Sequence, residues 1–177
     1  MTSPELAAPS PELAAQLEQL HRVLGEQEQT VAVAESMTGG LLAAALTSTA
    51  GASATFRGGL VVYATDLKSR LAGVGEDLLA EHGPVAPQIA LELARGVRGR
   101  LSASWGVGVT GVAGPQPQDG KAVGTVFLSV VGPGPDAGLE SVSELNLAGD
   151  RNTIRMQTVE QAVALLAGAV NHLTGSP

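Results

Sequence analysis

Residues 30–49 read TVAVA, then ESMTGG, then LLAAALTST: a short apolar run, a turn ending in two glycines, and a helical stretch. An apolar run of this length predicts a buried strand, and a strand feeding directly into a helix is the building unit of an α/β fold. The rest of the chain extends the pattern. Pro11 to about Gln27 carries Leu13, Leu17, Leu20 and Leu24 at three- and four-residue spacing, which predicts an amphipathic helix with Ser10 as its N-cap and Pro11 at its first position. GGLVVYA (58–64) predicts a second strand and DLKSRLAGV (66–74) a short helix, followed by helices over 76–82 and 87–100. WGVGVTG (105–111) and the β-branched AVGTVFLSVV (122–131) predict two more strands, and the alternation in LESVSELNLAG (139–149) a last, half-exposed one. Asp150 opens a final helix with Ile154, Val159, Val163, Leu166 and Val170 on one side. Strands separated by helices, then two strands in succession, give the expected fold class: α/β, a three-layer α/β/α sandwich with a mixed β-sheet. Residues 1–10, rich in Pro, Ser and Ala, are expected to form a disordered tail, and residues 11–177 a single domain.

Composition narrows the function. The net charge is −7, and six glutamates (5, 12, 18, 26, 28 and 35) face only Arg22 in the first 35 residues. An acidic chain without a basic stripe or aromatic platform is not expected to bind nucleic acid or an anionic membrane. Any anionic ligand is then held locally, by backbone N–H groups and a few arginines. No apolar run approaches the roughly 18 residues of a membrane span, and the acidic, proline-bearing N-terminus is unlike a secretory signal, so a cytoplasmic location is expected. The absence of cysteine removes disulfides, thiol nucleophiles and thiolate metal sites.

Ligands in open α/β sheets collect at the carboxyl ends of strands, which directs attention to residues 35–40, 63–68 and 110–121. Ser36 stands between a buried strand and a Gly-Gly helix start, where unpaired N–H groups of Thr38, Gly39 and Gly40 could stabilise an oxyanion or hold a phosphate. On spacing alone, Ser36 or Thr38 is more simply the N-cap of that helix. No GxSxG elbow is present, and His21, His82 and His172 read as surface or helix-end residues without metal-ligand spacing; no metal is indicated. Lys68 is one of only two lysines among ten basic residues, and lysine, unlike arginine, can be tuned by burial into a base. Equally, it reads as a surface lysine between Asp66 and Arg70. Tyr63 could stack on a ring, relay a proton, or simply pack. Thr110, Gly111 and Gly114 place a hydroxyl and close-approach backbone at the end of the third strand, and Arg151 beside the cap Asp150 could contact a phosphate.

Taken together, AESMTGG (34–40), the segment 51–74, EHGPV (81–85), VTGVAGP (109–115), AVGTVFL (122–128) and GDR (149–151) resemble the CinA C-terminal domain family, in order and spacing over roughly residues 12–173. The resemblance implies a nicotinamide-nucleotide amidase: nicotinamide mononucleotide converted to nicotinic acid mononucleotide and ammonia, a step of pyridine nucleotide recycling, with no cofactor. It implies Ser36 as nucleophile, Lys68 as its base, Tyr63 beside them, Thr110 near the substrate and Arg151 on the phosphate or carboxamide side. A homodimer is expected from the resemblance and the apolar surplus. Met37 stands where the family usually has Cys, Ala86 where Ser is common, and Gln116-Pro117-Gln118-Asp119-Gly120 where more glycines are usual. The chain resembles the form without an additional N-terminal domain. The rival expectation is a non-catalytic nucleotide-binding or regulatory module of the competence/damage-inducible type.

Overall fold

The structure, a computed structural model, describes residues 9–134, 138–173 and 175. The expected tail therefore lies, up to residue 8, outside the described residues. Chain order is α1 (Pro11–Glu26), β1 (Val31–Glu35), α2 (Leu41–Leu46), α3 (Ala52–Thr55), β2 (Phe56–Val61), α4 (Thr65–Ala72), α5 (Glu76–His82), α6 (Pro87–Arg100), β3 (Trp105–Gly111), β4 (Thr125–Gly132), β5 (Leu139–Asn146) and α7 (Arg151–Leu173). The five strands form one sheet in the order β2-β1-β3-β4-β5. β1 is parallel to both β2 and β3, whereas β3–β4 and β4–β5 are antiparallel, so the sheet is mixed, as expected.

Alternation along β1 and β3 divides the core into two layers. Val31, Val33, Trp105, Val107 and Val109 pack with leucines of α1 and with α2 and α7. Ala32 and Ala34 face the other way, against Ala72 of α4 and Ile89, Leu93 and Val97 of α6. That second face is built from small residues because α6 lies very close. A Cβ on Gly106 or Gly108 would stand 2.1 Å from the carbonyl oxygen of Ala94 or Ala90. Such an approach is open only to glycine.

Helix ends follow local chemistry. The Ser10 hydroxyl accepts from the Leu13 N–H, and the Asp150 carboxylate from that of Thr153, so both expected caps form. Ala86 caps α6 without a side-chain bond. Several boundaries differ from expectation. The helix after the glycines stops at Leu46, not residue 49, because Thr47 and Ser48 turn their hydroxyls back onto the carbonyls of residues 43–45. The second strand is Phe56–Val61, not 58–64: the short α3 delivers the chain to the sheet earlier, and after the Val62 N–H bonds the Glu35 carbonyl the chain turns away. β4 begins at Thr125 rather than residue 122, since Gly124 (φ 91°) still belongs to the preceding turn.

His21 departs from the surface role expected of it. Its ring is buried on α1, with Nδ1 2.6 Å from the Thr55 hydroxyl and Nε2 2.7 Å from the Leu46 carbonyl, tying three helices together. Burial pushes its pKa below the ordinary value. Among the described residues, no helix is long and apolar enough to cross a membrane.

Candidate active site

The carboxyl ends of the three parallel strands converge on one cleft. Ser36 follows β1 directly, Lys68 lies in the opening turns of the helix that follows β2, and Thr110 and Gly111 end β3. Lys68 is 2% exposed. Its Nζ lies 3.1 Å from the Ser36 Oγ and donates to the Val62 carbonyl at 3.0 Å. Burial lowers its pKa from 10.5 to about 8, with no carboxylate acting against that shift. The positive end of α4 opposes a cation there as well. The surface-lysine alternative is thereby excluded: Asp66 and Arg70 pair with each other, exposed, while Lys68 points inward. A neutral Nζ that donates to Val62 keeps its lone pair for the Ser36 proton. Ser36 and Lys68 thus have the geometry of a nucleophile and its base.

The turn after Ser36 corrects the expectation that its N–H groups are generally free. Glu35 is fully buried, and its carboxylate accepts from the N–H groups of Gly40 (3.0 Å), Leu42 (3.1 Å) and Ala43 (2.8 Å). A side chain from the preceding strand, rather than Ser36 or Thr38, caps α2. The Gly39 N–H bonds the Ser36 carbonyl, that of Leu41 bonds the Thr38 carbonyl, and that of Ser36 the Val109 carbonyl. Among the described residues, the Met37 and Thr38 N–H groups are the ones in this turn without such a partner. Thr38, Gly39 and Gly40 are not among the residues that line the cleft. The two glycines are needed for the bend, with φ of 61° and 97°.

From the far side the turn is held by Arg155 of α7, whose Nε donates to the Met37 carbonyl at 3.1 Å and Nη2 to the Thr38 carbonyl at 2.7 Å. Across the mouth, Arg151 donates from Nη1 to the Gly114 carbonyl (2.5 Å) and from Nη2 to the Tyr63 hydroxyl (2.7 Å). The Tyr63 hydroxyl therefore meets Arg151 rather than Ser36 or Lys68, and the residue is 57% exposed. That arrangement suits stacking on a planar ligand, not proton relay. The Thr110 hydroxyl donates to the Pro84 carbonyl at 2.7 Å, joining the end of β3 to the loop before α6.

A family model for the CinA C-terminal domain matches residues 13–170. The chain belongs to the CinA C-terminal domain family. It is 48% identical over 153 residues to a CinA-like protein of Frankia casuarinae, covering 84% of this chain and 34% of that protein. A CinA-like protein of Anaeromyxobacter dehalogenans is 45% identical over 146 residues, covering 81% and 34%. The chain thus spans about a third of the length of the curated relatives it matches. Among solved structures it is similar to the competence/damage inducible protein CihA from Agrobacterium tumefaciens, with a TM-score of 0.87 and 34% identity over 94% of this chain and 99% of that one.

Of the residues expected at the CinA site, Ser36, Tyr63, Lys68, Thr110, Gly111, Gly114 and Arg151 line the cleft together. Glu35 and Arg155 join the site with no expectation from the sequence, and Gln116 and Gln118 of the 110–121 loop join it with no role assigned to their side chains. The first two support the turn, and the last two line the cleft. Glu35 carried a readable signal, an acid ending an otherwise apolar strand just before a helix. Arg155 carried none, since nothing in the sequence ties it to a turn 117 residues away. The substituted 116–120 loop is ordered by a tight turn in which Gln118 and Lys121 exchange backbone bonds of 3.1 and 2.8 Å. Among the described residues, no group of three or more His, Asp or Glu side chains could hold a metal ion.

Proposed function

We propose that this protein hydrolyses the carboxamide of nicotinamide mononucleotide to the carboxylate and ammonia through an acyl-enzyme on Ser36. The observation that carries the reading is the 3.1 Å contact between the Ser36 Oγ and a buried Lys68 whose pKa is lowered to about 8. Neutral Lys68 takes the hydroxyl proton as Oγ bonds the carboxamide carbon, and the carbonyl π pair moves onto oxygen. Collapse of that adduct breaks the C–N bond. The proton on Lys68 passes to the departing nitrogen, which leaves as ammonia. Water then attacks the ester and gives a proton to Lys68. The C–Oγ bond breaks, and Ser36 recovers its proton. The residues invoked are all supplied by this chain.

Orientation follows from what is already occupied. The start of α2 is filled by the Glu35 carboxylate, which leaves no room for a phosphate there. Arg151 and the exposed Tyr63 stand at the mouth instead. In this reading the phosphate meets Arg151 and the pyridine ring meets Tyr63, with the carboxamide inward at Ser36. The experiment is direct: purified protein is given nicotinamide mononucleotide, and ammonia and nicotinic acid mononucleotide are measured. Stoichiometric release over many turnovers supports the reading. Binding without release would favour a nucleotide-binding module.

A further inference from the structure

The Ser36 chemistry requires a donor for the developing oxyanion, and the turn shows how one is held. A trans peptide is planar, so its C=O and N–H point in opposite directions and fixing one aims the other. Arg155 Nη2 fixes the Thr38 carbonyl, and therefore the plane that carries the Gly39 N–H. That N–H bonds the Ser36 carbonyl at 3.1 Å, which fixes the plane carrying the Met37 N–H. Arg155 Nε fixes the intervening plane through the Met37 carbonyl. All three peptides after the nucleophile are thus oriented from behind, and the N–H groups of Met37 and Thr38 are left without a protein acceptor in this turn; of the two residues, Met37, next to Ser36, is the one that lines the cleft. The side chains around it allow little slack. Met37 is 4% exposed, and a Cβ on Gly39 would stand 3.4 Å from Arg155 Nη2.

We infer that Arg155 is a positioning residue, whose two-pronged grip on the Met37 and Thr38 carbonyls aims the Met37 N–H at the oxyanion formed on attack by Ser36. The inference rests on the Ser36–Lys68 reading but not on the identity of the amide. Arg155 itself touches neither the reacting atoms nor Lys68. A lysine supplies a point charge and cannot reproduce the planar fork.

The test compares parent, Arg155→Lys and Arg155→Met. One readout is the second-order rate of Ser36 phosphonylation by an alkyl fluorophosphonate, which also builds negative charge on oxygen as the serine attacks. The others are kcat and KM for nicotinamide mononucleotide. Removing an oxyanion donor outright costs roughly 10²–10³ in rate, so a donor merely released from its fixed orientation is expected to cost about 10- to 100-fold. That loss is expected in phosphonylation rate and in kcat for both variants, with KM and the pH at which the rate rises unchanged. Millimolar guanidinium is expected to restore part of the Arg155→Met rate and none to the parent. If Arg155→Met does not fold, Arg155→Lys carries the comparison, its folding checked by thermal unfolding. Folded variants within about threefold of the parent in phosphonylation rate overturn the inference. So does a loss confined to KM. Should the parent be phosphonylated at Ser36 yet release no ammonia, the amidase reading fails while the Arg155 comparison stands. A parent inert to both reagents overturns both.

Discussion

Lys68 Nζ and Ser36 Oγ meet at 3.1 Å although 32 positions separate them, and the lysine is 2% exposed. Burying an ammonium group without a counter-charge is unfavourable, and the pKa lowered to about 8 brings the neutral amine that a serine requires as base within reach of neutral pH. Lys68→Arg keeps a cation at the position, because guanidinium stays protonated. Both Lys68→Arg and Lys68→Met are expected to lose about 10²- to 10⁴-fold in kcat for ammonia release. Arg retaining most of the activity would mean that the position acts only as a charge.

Ser36→Ala is expected to abolish turnover while leaving nucleotide affinity and the unfolding midpoint close to the parent, since the hydroxyl makes few contacts beyond Lys68. Ammonia assays with calorimetric binding check this. Residual activity within about tenfold of the parent is incompatible with covalent catalysis, whose loss typically costs several orders of magnitude.

The pH dependence follows from the same lysine. Its folded pKa of about 8 lies below the ordinary 10.5. In the proposed mechanism the active form is unprotonated, so the rate is expected to rise with pH through about 8 and then level. Stability moves the same way. Between about 8 and 10.5 the unfolded chain binds the proton that the folded one has released, so unfolding free energy increases with pH across that window. Urea unfolding at pH 7, 8.5 and 10 should show the increase in the parent and not in Lys68→Met.

Glu35 is expected to contribute stability rather than chemistry. Glu35→Ala leaves three N–H groups at the start of α2 without their acceptor, and Glu35→Gln turns an NH₂ group toward one or two of them. Leaving a buried donor unpaired costs about 1–3 kcal/mol, and a loss of about 3 kcal/mol is expected for either variant. Equal urea midpoints for parent and Glu35→Gln would contradict this.

Arg151→Met should raise KM for nicotinamide mononucleotide by about tenfold with little change in kcat, as removal of an interaction common to ground and transition states does. The corresponding riboside, which has no phosphate, should not discriminate parent from variant. A similar penalty with the riboside would place Arg151 on some other part of the substrate.

Much of this arrangement is legible in the sequence where local rules govern it. The α1 leucines, the Ser10 and Asp150 caps and the helix over 87–100 all follow from spacing and end chemistry, and the structure agrees. Lys68 could be read from its neighbours either way, because burial depends on how α4 docks rather than on the segment DLKSR. What caps the turn after Ser36 is hidden from the sequence for a related reason. A serine and a threonine before two glycines look like caps, yet a carboxylate buried on the sheet outcompetes both, presenting two oxygens to three N–H groups. His21 was hidden similarly: its polar partners come from α3 and the end of α2, and nothing in α1 announces them.

The contact between α6 and β3 bears on how such a chain can diverge. On the α1/α7 side, Leu, Val and Met fill space that neighbouring side chains can share, so exchanges of similar volume are accommodated there. Against α6, Gly106 and Gly108 meet backbone carbonyls, which have no rotamer into which to retreat. Drift is therefore lopsided. One layer can wander through many sequences, while the other must stay almost bare to hold the helix that leads in from Pro84, the residue hydrogen-bonded to Thr110 at the edge of the cleft.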